Sequence, residues 1–526
     1  MKTPFRAPAD HGALLCEPPL ELITQLGSKG ICRHYFPTNT SQWVAELGAS
    51  ARKECAENPS FLGRNVDPEK LWIGTGHQPE LFHPGVWVKN FLTCGMAKSF
   101  QAEAFHVVID TDCPTKMAIR LPQIGSISNP ACAPWVSFGS FRPNQAWVSI
   151  LGDPSRLNYF CERLADWSRI AGWNSLLPRW LHLFKMAQPG QLLWQRFHFV
   201  RENLENEMGC YLNTLRLSRM AELTSFRKLI FHMVLSRRSM RESYNASLAL
   251  FRIRHKVQSS KRPIPDLEIK DGWEELPLWL AHQDGIRSRC WVRECSLGKV
   301  WEMSAEPGGA PWIQWTGQDP EDAVAALHSA SSNGIHVWPR ALSTTLFLRL
   351  FIFDWFVHGI GGALYDEVTE DWSKLWLGCD LMQHTVASLT LKLPLPSARA
   401  SLQDYRESLS HYRRLWWNPD AFLGKERTGV EIKIAEKLVL WRQKKTQPGN
   451  ESKRRFFEIR NLVDQLRSLL GKSIKESWAT CQKLHSLIPE LAIYNSREYA
   501  FPLHCVLTLE KHLRPLLLLK NDRTSN

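Results

Sequence analysis

Several patterns are missing from these 526 residues, and each absence narrows the reading. No Cys-x-x-Cys pair occurs. The thirteen cysteines are scattered, and the closest two, Cys290 and Cys295, have no companions at zinc-finger spacing. A zinc finger or a secreted disulfide scaffold is therefore not expected, and reduced thiols of a cytoplasmic protein are. Long apolar runs are also absent. Residues 346–357 and 516–519 are the longest such stretches, well short of the roughly 20 residues that cross a bilayer, so no membrane partner is expected. Residues 1–25 mix Arg6, Asp10, His11 and Glu17 with prolines, unlike the apolar core of a secretory signal. There is no internal repeat.

What is present is a globular composition, 44% hydrophobic, with a net charge of +13. That length exceeds one ordinary core and predicts two or three cooperating modules. The charge suits nucleic acid or a phosphorylated or carboxylated small molecule, and its placement decides between them.

The most informative stretch is 71–112. Leu71-Trp72-Ile73 reads as a short buried parallel strand, and Gly74-Thr75-Gly76 reads as a tight turn that ends it. A loop with His77, Gln78 and His83 leads to Pro84-Gly85, where Pro84 suits the first position of a helix. Helical spacing then runs to Ser99, and Val107-Val108-Ile109 centres a second strand ending in Asp110 and Asp112. Strand, helix and strand fit one right-handed crossover. In such units ligands bind beyond the carboxyl ends of the strands, which here carry Thr75, Gly76, His77, Gln78, Lys89, Asp110 and Asp112. Gly76, Gly85 and the helix start are placed to meet phosphates, with Lys89, His77 and His83 as donors; the plainer reading is a tight turn with histidines bonded to loop carbonyls. Asp110 and Asp112 can hold a substrate amine, a ribose hydroxyl or Mg²⁺, or one of them can cap the next turn.

A second stretch spans 335–371. Ile335-His336-Val337-Trp338 predicts a strand, and Ser343 or Thr344 a cap for an apolar helix over 346–357. A glycine break, His358-Gly359-Ile360-Gly361-Gly362, follows, and Tyr365 resumes the helix. Arg340 can clamp a carboxylate or phosphate, or pair with Asp354 or Glu367 in the core. His358 can face a pocket or cap a helix end. From about 397 to 487 dense Lys and Arg, including Lys433, Lys437, Arg442, Lys444, Lys445 and Lys453 to Arg455, accompany apolar residues three or four apart. This predicts two long antiparallel helices with a tip near Gln447 to Asn450 and a basic, solvated face.

These stretches, in this order, resemble the cysteine-adding enzymes of bacillithiol synthesis, a cysteine ligase family. The first resemblance is Thr75-Gly76-His77-Gln78 with Leu81-Phe82, Pro84-Gly85 and Lys89. The second is Pro339-Arg340-Ala341-Leu342 through Phe353-Asp354 to Gly359-Ile360-Gly361-Gly362 and Tyr365, with Arg497-Glu498-Tyr499 as a fainter third. At His77, Glu80 and 110–113 the chain departs from the family pattern. The resemblance implies an α/β fold with a Rossmann-like parallel-sheet core, helical insertions and a C-terminal coiled-coil arm that dimerises. The expected organisation is core over 1–152, helical insertion over 153–260, core again over 261–396, basic arm over 397–490 and a return to the core over 491–526. It also implies a ligase that joins an amino acid or thiol-bearing amine to a small-molecule acceptor. On that basis His77, Asp110, Asp112 and His358 are expected to be catalytic. Thr75, Gln78, Arg340, Gly361, Gly362 and Tyr365 would bind substrate, and Gly76, His83, Gly85 and Lys89 would bind ATP or ADP; no metal ligand set is assigned. The competing expectation is a non-catalytic protein that binds nucleic acid or a protein partner through the basic arm.

Overall fold

A computed structural model describes residues 5–28, 41–58, 66–124, 131–187, 192–259, 261–295, 300–395, 401–422 and 450–519, with 432 and 439. The strands in chain order are β1 (Leu14–Glu17), β2 (Trp72–His77), β3 (Glu103–Val108), β4 (Ala118–Arg120), β5 (Trp135–Ser137), β6 (Asn213–Arg216) and β7 (Ile269–Lys270). They continue with β8 (Trp273–His282), β9 (Arg287–Cys295), β10 (Val300–Ser304), β11 (Ile313–Thr316), β12 (Ile335–Pro339), β13 (Trp355–His358) and β14 (Gln383–Leu389). The chain is mixed α/β and divides into two compact units: Met1–Leu121 with Trp135–Pro394 and Arg497–Asn526, and Pro122–Pro134 with Leu395–Ser496. Among the described residues no helix is long and apolar enough to cross a membrane.

The first unit is built on a six-stranded sheet in the order β1-β14-β13-β2-β3-β6. All neighbours are parallel except β1, which runs antiparallel to β14 at the edge. Counted along the chain, the five parallel strands lie in the order 5-4-1-2-3, so the winding reverses between β2 and β13. Helix Pro84–Phe100 carries the chain from β2 to β3, and helix Ile360–Leu377 carries it from β13 to β14. Right-handed crossovers in opposite directions must place these helices on opposite faces. Side-chain alternation agrees. Trp72, Phe105, Val107 and Phe356 share a core with Val368 and Trp372 of the later helix, whereas Trp355 meets Phe100 of the earlier one.

Three expectations change. Gly74 and Gly76 do not end β2 but lie inside it, because backbone and rings approach too closely for a side chain. A Cβ at Gly74 would stand 2.6 Å from the Phe353 ring, and one at Gly76 2.9 Å from the Val107 carbonyl. Residues 346–357 are not one helix: helix Ala341–Phe347 widens into a π turn at Leu348–Ile352, and Trp355–His358 is a central strand. A fully apolar run has no periodicity by which to separate helix from buried strand. The segment 153–260 is mostly helical, but it also supplies β6, which pairs with β3 as the outermost parallel strand.

Between β6 and β13 the chain builds a second, antiparallel sheet in the order β11-β10-β9-β8-β12, with β7 beside β8. Pro277 sits where the β8–β9 register shifts, as expected of a residue that cannot donate to the ladder.

In the other unit, helices Leu402–Trp417 and Gly471–Tyr494 run antiparallel, since Tyr405 meets the ring of His485, Ser408 the thiol of Cys481, and Tyr412 the ring of Trp478. Helix Asn450–Leu469 joins them through Arg467, which donates to the Trp416 carbonyl at 2.7 Å and stacks on its ring. Lys433, Lys437, Arg442, Lys444, Lys445 and residues 447–449 lie outside the described residues.

The reversal point is fastened by Asp354, fully buried just before β13. Its carboxylate accepts the backbone N–H of Trp72 at 2.8 Å and pairs with Arg52 at 2.9 Å. Removing one partner of a buried pair strands the other, so Asp354→Ala should lower unfolding free energy by roughly 3 kcal/mol in urea titration. Asp380→Ala, which breaks an exposed pair with Lys374, should change it by less than about 1 kcal/mol.

Candidate functional site

In open parallel sheets, loops on either side of a winding reversal diverge and leave a crevice at the carboxyl ends of the strands. Here the reversal lies between β2 and β13, which puts the expected ligand crevice at the carboxyl ends of these two strands. Three features converge on it.

The first is Lys89, one turn into helix Pro84–Phe100 and only 4% exposed. Its ammonium donates to the Gly76 carbonyl at 2.8 Å, and no carboxylate lies within 4 Å among the described residues. Burial without a counter-charge pushes its pKa down to about 7. Its methylenes pass 3.7 Å from the position a Cβ on Gly359 would take, so the side chain lies against the end of β13.

The second is the start of helix Ile360–Leu377, which has no side-chain cap. Its first turn carries Gly361 and Gly362, both exposed, so the helix start with its orphan backbone N–H groups lies at the surface. Tyr365 lies one turn further and is partly exposed.

The third is the entry to helix Pro84–Phe100. His83 caps it, its Nδ1 accepting from Gly85 N at 3.1 Å, while its Nε2 lies 3.3 Å from Glu498. Arg497 presses on Gly85, where a Cβ would stand 2.6 Å from the Leu389 carbonyl, and donates to Thr390 and Ser388 at 3.0 and 2.7 Å. Glycine at 85 thus lets an arginine and a strand end approach the helix start. Burial, reinforced by Arg497 and Lys89, holds the His83 imidazole down at about 4. His77, at the end of β2, is neutral for the same reason: burial and the Lys89 charge take it down to about 3. Its Nδ1 lies 3.1 Å from the Gln78 carbonyl and its ring meets Phe82 edge-on.

The remaining sequence-selected residues separate by role. Thr75 is fully buried and donates to the Val357 carbonyl at 2.8 Å, tying β2 to β13. Asp110 is also fully buried. It accepts from Arg216 at 3.1 Å and from the Ser218 backbone and hydroxyl at 2.9 and 2.6 Å, bonds that join the ends of β3 and β6. Asp112 is at the rim, accepting from Gln78 at 2.8 Å and from Arg287 at 3.1 Å. Arg340 belongs to the second sheet. It pairs with Glu275 at 2.7 Å, not with Asp354 or Glu367, and stacks on Trp279. Arg287 covers the same ring, so Trp279 links Arg340 to the Asp112 rim.

Against family models and against curated proteins the sequence finds no match. The assignment therefore rests on the site.

Sequence reasoning weighs Asp366 beside Tyr365 and Glu367 without placing it in the expected site, and marks Glu80 only as a departure from the family pattern. Burial, with the Asp112 charge beside it, pushes the Glu80 carboxyl up to about 7. It lines a cavity of about 20 Å³ with Gln78, His106, His198 and Arg201, room for little more than one water. Asp366, fully buried on helix Ile360–Leu377, pairs with Arg349 and lies 3.1 Å from His358 Nε2. Burial alone would raise its carboxyl, but the contact with His358 and the charge of Arg349 outweigh that and hold it at about 2. Asp366 stands four residues after Gly362, on the buried face two turns into the helix.

Lys89 makes a stability prediction with a definite sign. Its folded pKa lies below the ordinary value, so the buried ammonium costs stability in full below about pH 7, and the cost fades as pH rises toward 10. Lys89→Met should therefore stabilise the protein by on the order of 2 kcal/mol at pH 6. The gain should shrink steadily in urea titrations run up to pH 10.

Proposed function

We propose that this chain is an enzyme of ligase type whose Rossmann-like core takes the phosphates of ATP or ADP in the crevice between β2 and β13. The observation that carries this reading is the buried Lys89 ammonium, which has a carbonyl for a partner but no counter-anion among the described residues and stands beside an uncapped helix start. Such a group is stabilised by an anion that enters the crevice, and the open helix N–H groups add donors of the same sign. The parallel-strand order 5-4-1-2-3 supports the nucleotide-binding type, since phosphates bind at its reversal.

The likeness of the Thr75 to Lys89 and Arg340 to Tyr365 stretches to cysteine-adding enzymes supports the reaction class. An amide does not form at a useful rate from a free carboxylate and an amine, so the acceptor carboxylate would be activated through the nucleotide. Gln78 and Asp112 would receive the amine-bearing partner, and the antiparallel helices of the second unit are read as a coiled-coil arm through which two copies associate. Arg454, exposed, and Arg455, half-buried, on helix Asn450–Leu469 would serve the alternative of a nucleic-acid surface.

Calorimetric titration with ADP and ATP tests the reading. Binding should weaken at least tenfold in Lys89→Ala and should weaken in the wild type as pH rises from 6 to 9, because the ammonium form holds the anion. If neither nucleotide binds, while single-stranded RNA binds and is lost in Arg454→Ala/Arg455→Ala, the ligase reading fails.

A further inference from the structure

Below the crevice, on the face covered by helix Ile360–Leu377, a chain of charged side chains ends at His358. Arg349, 2% exposed in the π turn, donates to Asp366 and reaches Glu370 at 3.1 Å. Its Nε donates to the Met382 carbonyl at 2.9 Å. Asp366 keeps one carboxylate oxygen without a hydrogen-bond partner, and the other lies 3.1 Å from His358 Nε2. That contact is an ion-pair distance and not a formed hydrogen bond, and Nε2 has no hydrogen-bond partner among the described residues. His384 on β14 approaches the same acids, 3.9 Å from Asp366 and 3.4 Å from Glu370, and its ring meets His358 edge-on.

The imidazole has two nitrogens, and this surrounding distinguishes them. A carboxylate can only accept, so the proton belongs on Nε2 and Nδ1 keeps its lone pair. Nδ1 lies on the other shoulder of the ring, 3.1 Å from where a Cβ on Gly362 would stand. Gly362 is exposed in the uncapped first turn, and its lack of a side chain lets Nδ1 of the buried His358 lie directly against that turn.

We propose that His358 is the general base of this site, with Nδ1 taking the proton from the amine-bearing substrate, and that Asp366, anchored by Arg349, is its positioning residue. This rests on the crevice being the ligand site, as proposed above. In the step, an N–H bond of the substrate ammonium breaks and its electron pair stays on nitrogen as the attacking lone pair. The proton forms the new Nδ1–H bond, and the imidazolium that results is balanced by Asp366. The charged and titratable groups facing His358 are Asp366 and Glu370 from its covering helix, Arg349 from the π turn and His384 from β14, with Lys89 at the adjoining Gly359. Burial lowers the His358 pKa, and Arg349 and His384 add to this against the opposing pull of Asp366, which favours a neutral imidazole able to accept.

The test is nitrogen NMR of ¹⁵N-histidine-labelled full-length protein, with the His358 signals identified by their loss in His358→Gln. The expected result is an Nε2–H tautomer with an unprotonated Nδ1 whose shift moves on adding ADP. Asp366→Asn, whose amide can donate to Nε2, should switch the proton to Nδ1, a change that a purely structural aspartate would not produce. Gly362→Ala, which touches neither acid, should block the ADP-induced shift while leaving the tautomer intact. An Nδ1–H tautomer in the wild type overturns the assignment, as does an unmoved Nδ1 in protein that binds ADP through Lys89. Absence of ADP binding sinks the nucleotide reading instead, and the tautomer in the free protein then decides the histidine assignment by itself.

Discussion

Strands β2 and β13 meet although their paired residues stand 282 positions apart, and this pairing sets where every other group of the first unit lies. Asp354 receives the Trp72 amide at one end, and the Thr75 hydroxyl bonds the Val357 carbonyl near the other. Both bonds are buried, so each group would be left costly and unsatisfied if the strands parted. With the two strands locked side by side and the following helices sent to opposite faces, a gap at their carboxyl ends is unavoidable. The crevice is a product of winding.

Two kinds of polar group surround that gap. Asp110, Thr75 and Asp354 are satisfied by protein partners and hold strand ends together. Lys89, His77 and the open turn at Gly361 and Gly362 are incompletely answered, and burial leaves their charge or hydrogen-bonding capacity in reserve. A lysine below its ordinary pKa is a stability cost with no structural return beyond one carbonyl bond. Such a cost is the usual mark of a group kept for a ligand. The Arg349, Asp366 and His358 chain differs in that its charges nearly cancel, which suits holding a proton acceptor in place more than binding an anion.

The second sheet reaches the same edge by a different route. Arg287 leaves β9 to bond the Thr111 carbonyl and Asp112, and shares the Trp279 ring with Arg340. Arg340, read from sequence as an anion clamp, thus acts one step behind the rim through a stacked aromatic. Its guanidinium is already neutralised by Glu275.

Local chemistry made part of this legible in the sequence. Pro84 as a helix start and the β2–helix–β3 crossover follow from residue types and spacings whose backbone demands are strong, and they carry His77 to the end of β2 and Lys89 into the helix; His358, expected at a helix end, closes a strand instead. The apolar run before His358 was not legible, because burial on both faces erases the periodicity that separates helix from strand. Nor was β6, four residues inside a helical region that only the edge of β3 recruits. Asp110 and Asp112 show the boundary most clearly. They are two residues apart and chemically identical, yet one is buried under Arg216 and Ser218 and the other stands at the rim. Sequence determined that acids would follow β3; which of them remained available depended on partners more than a hundred positions away, brought in by the tertiary fold.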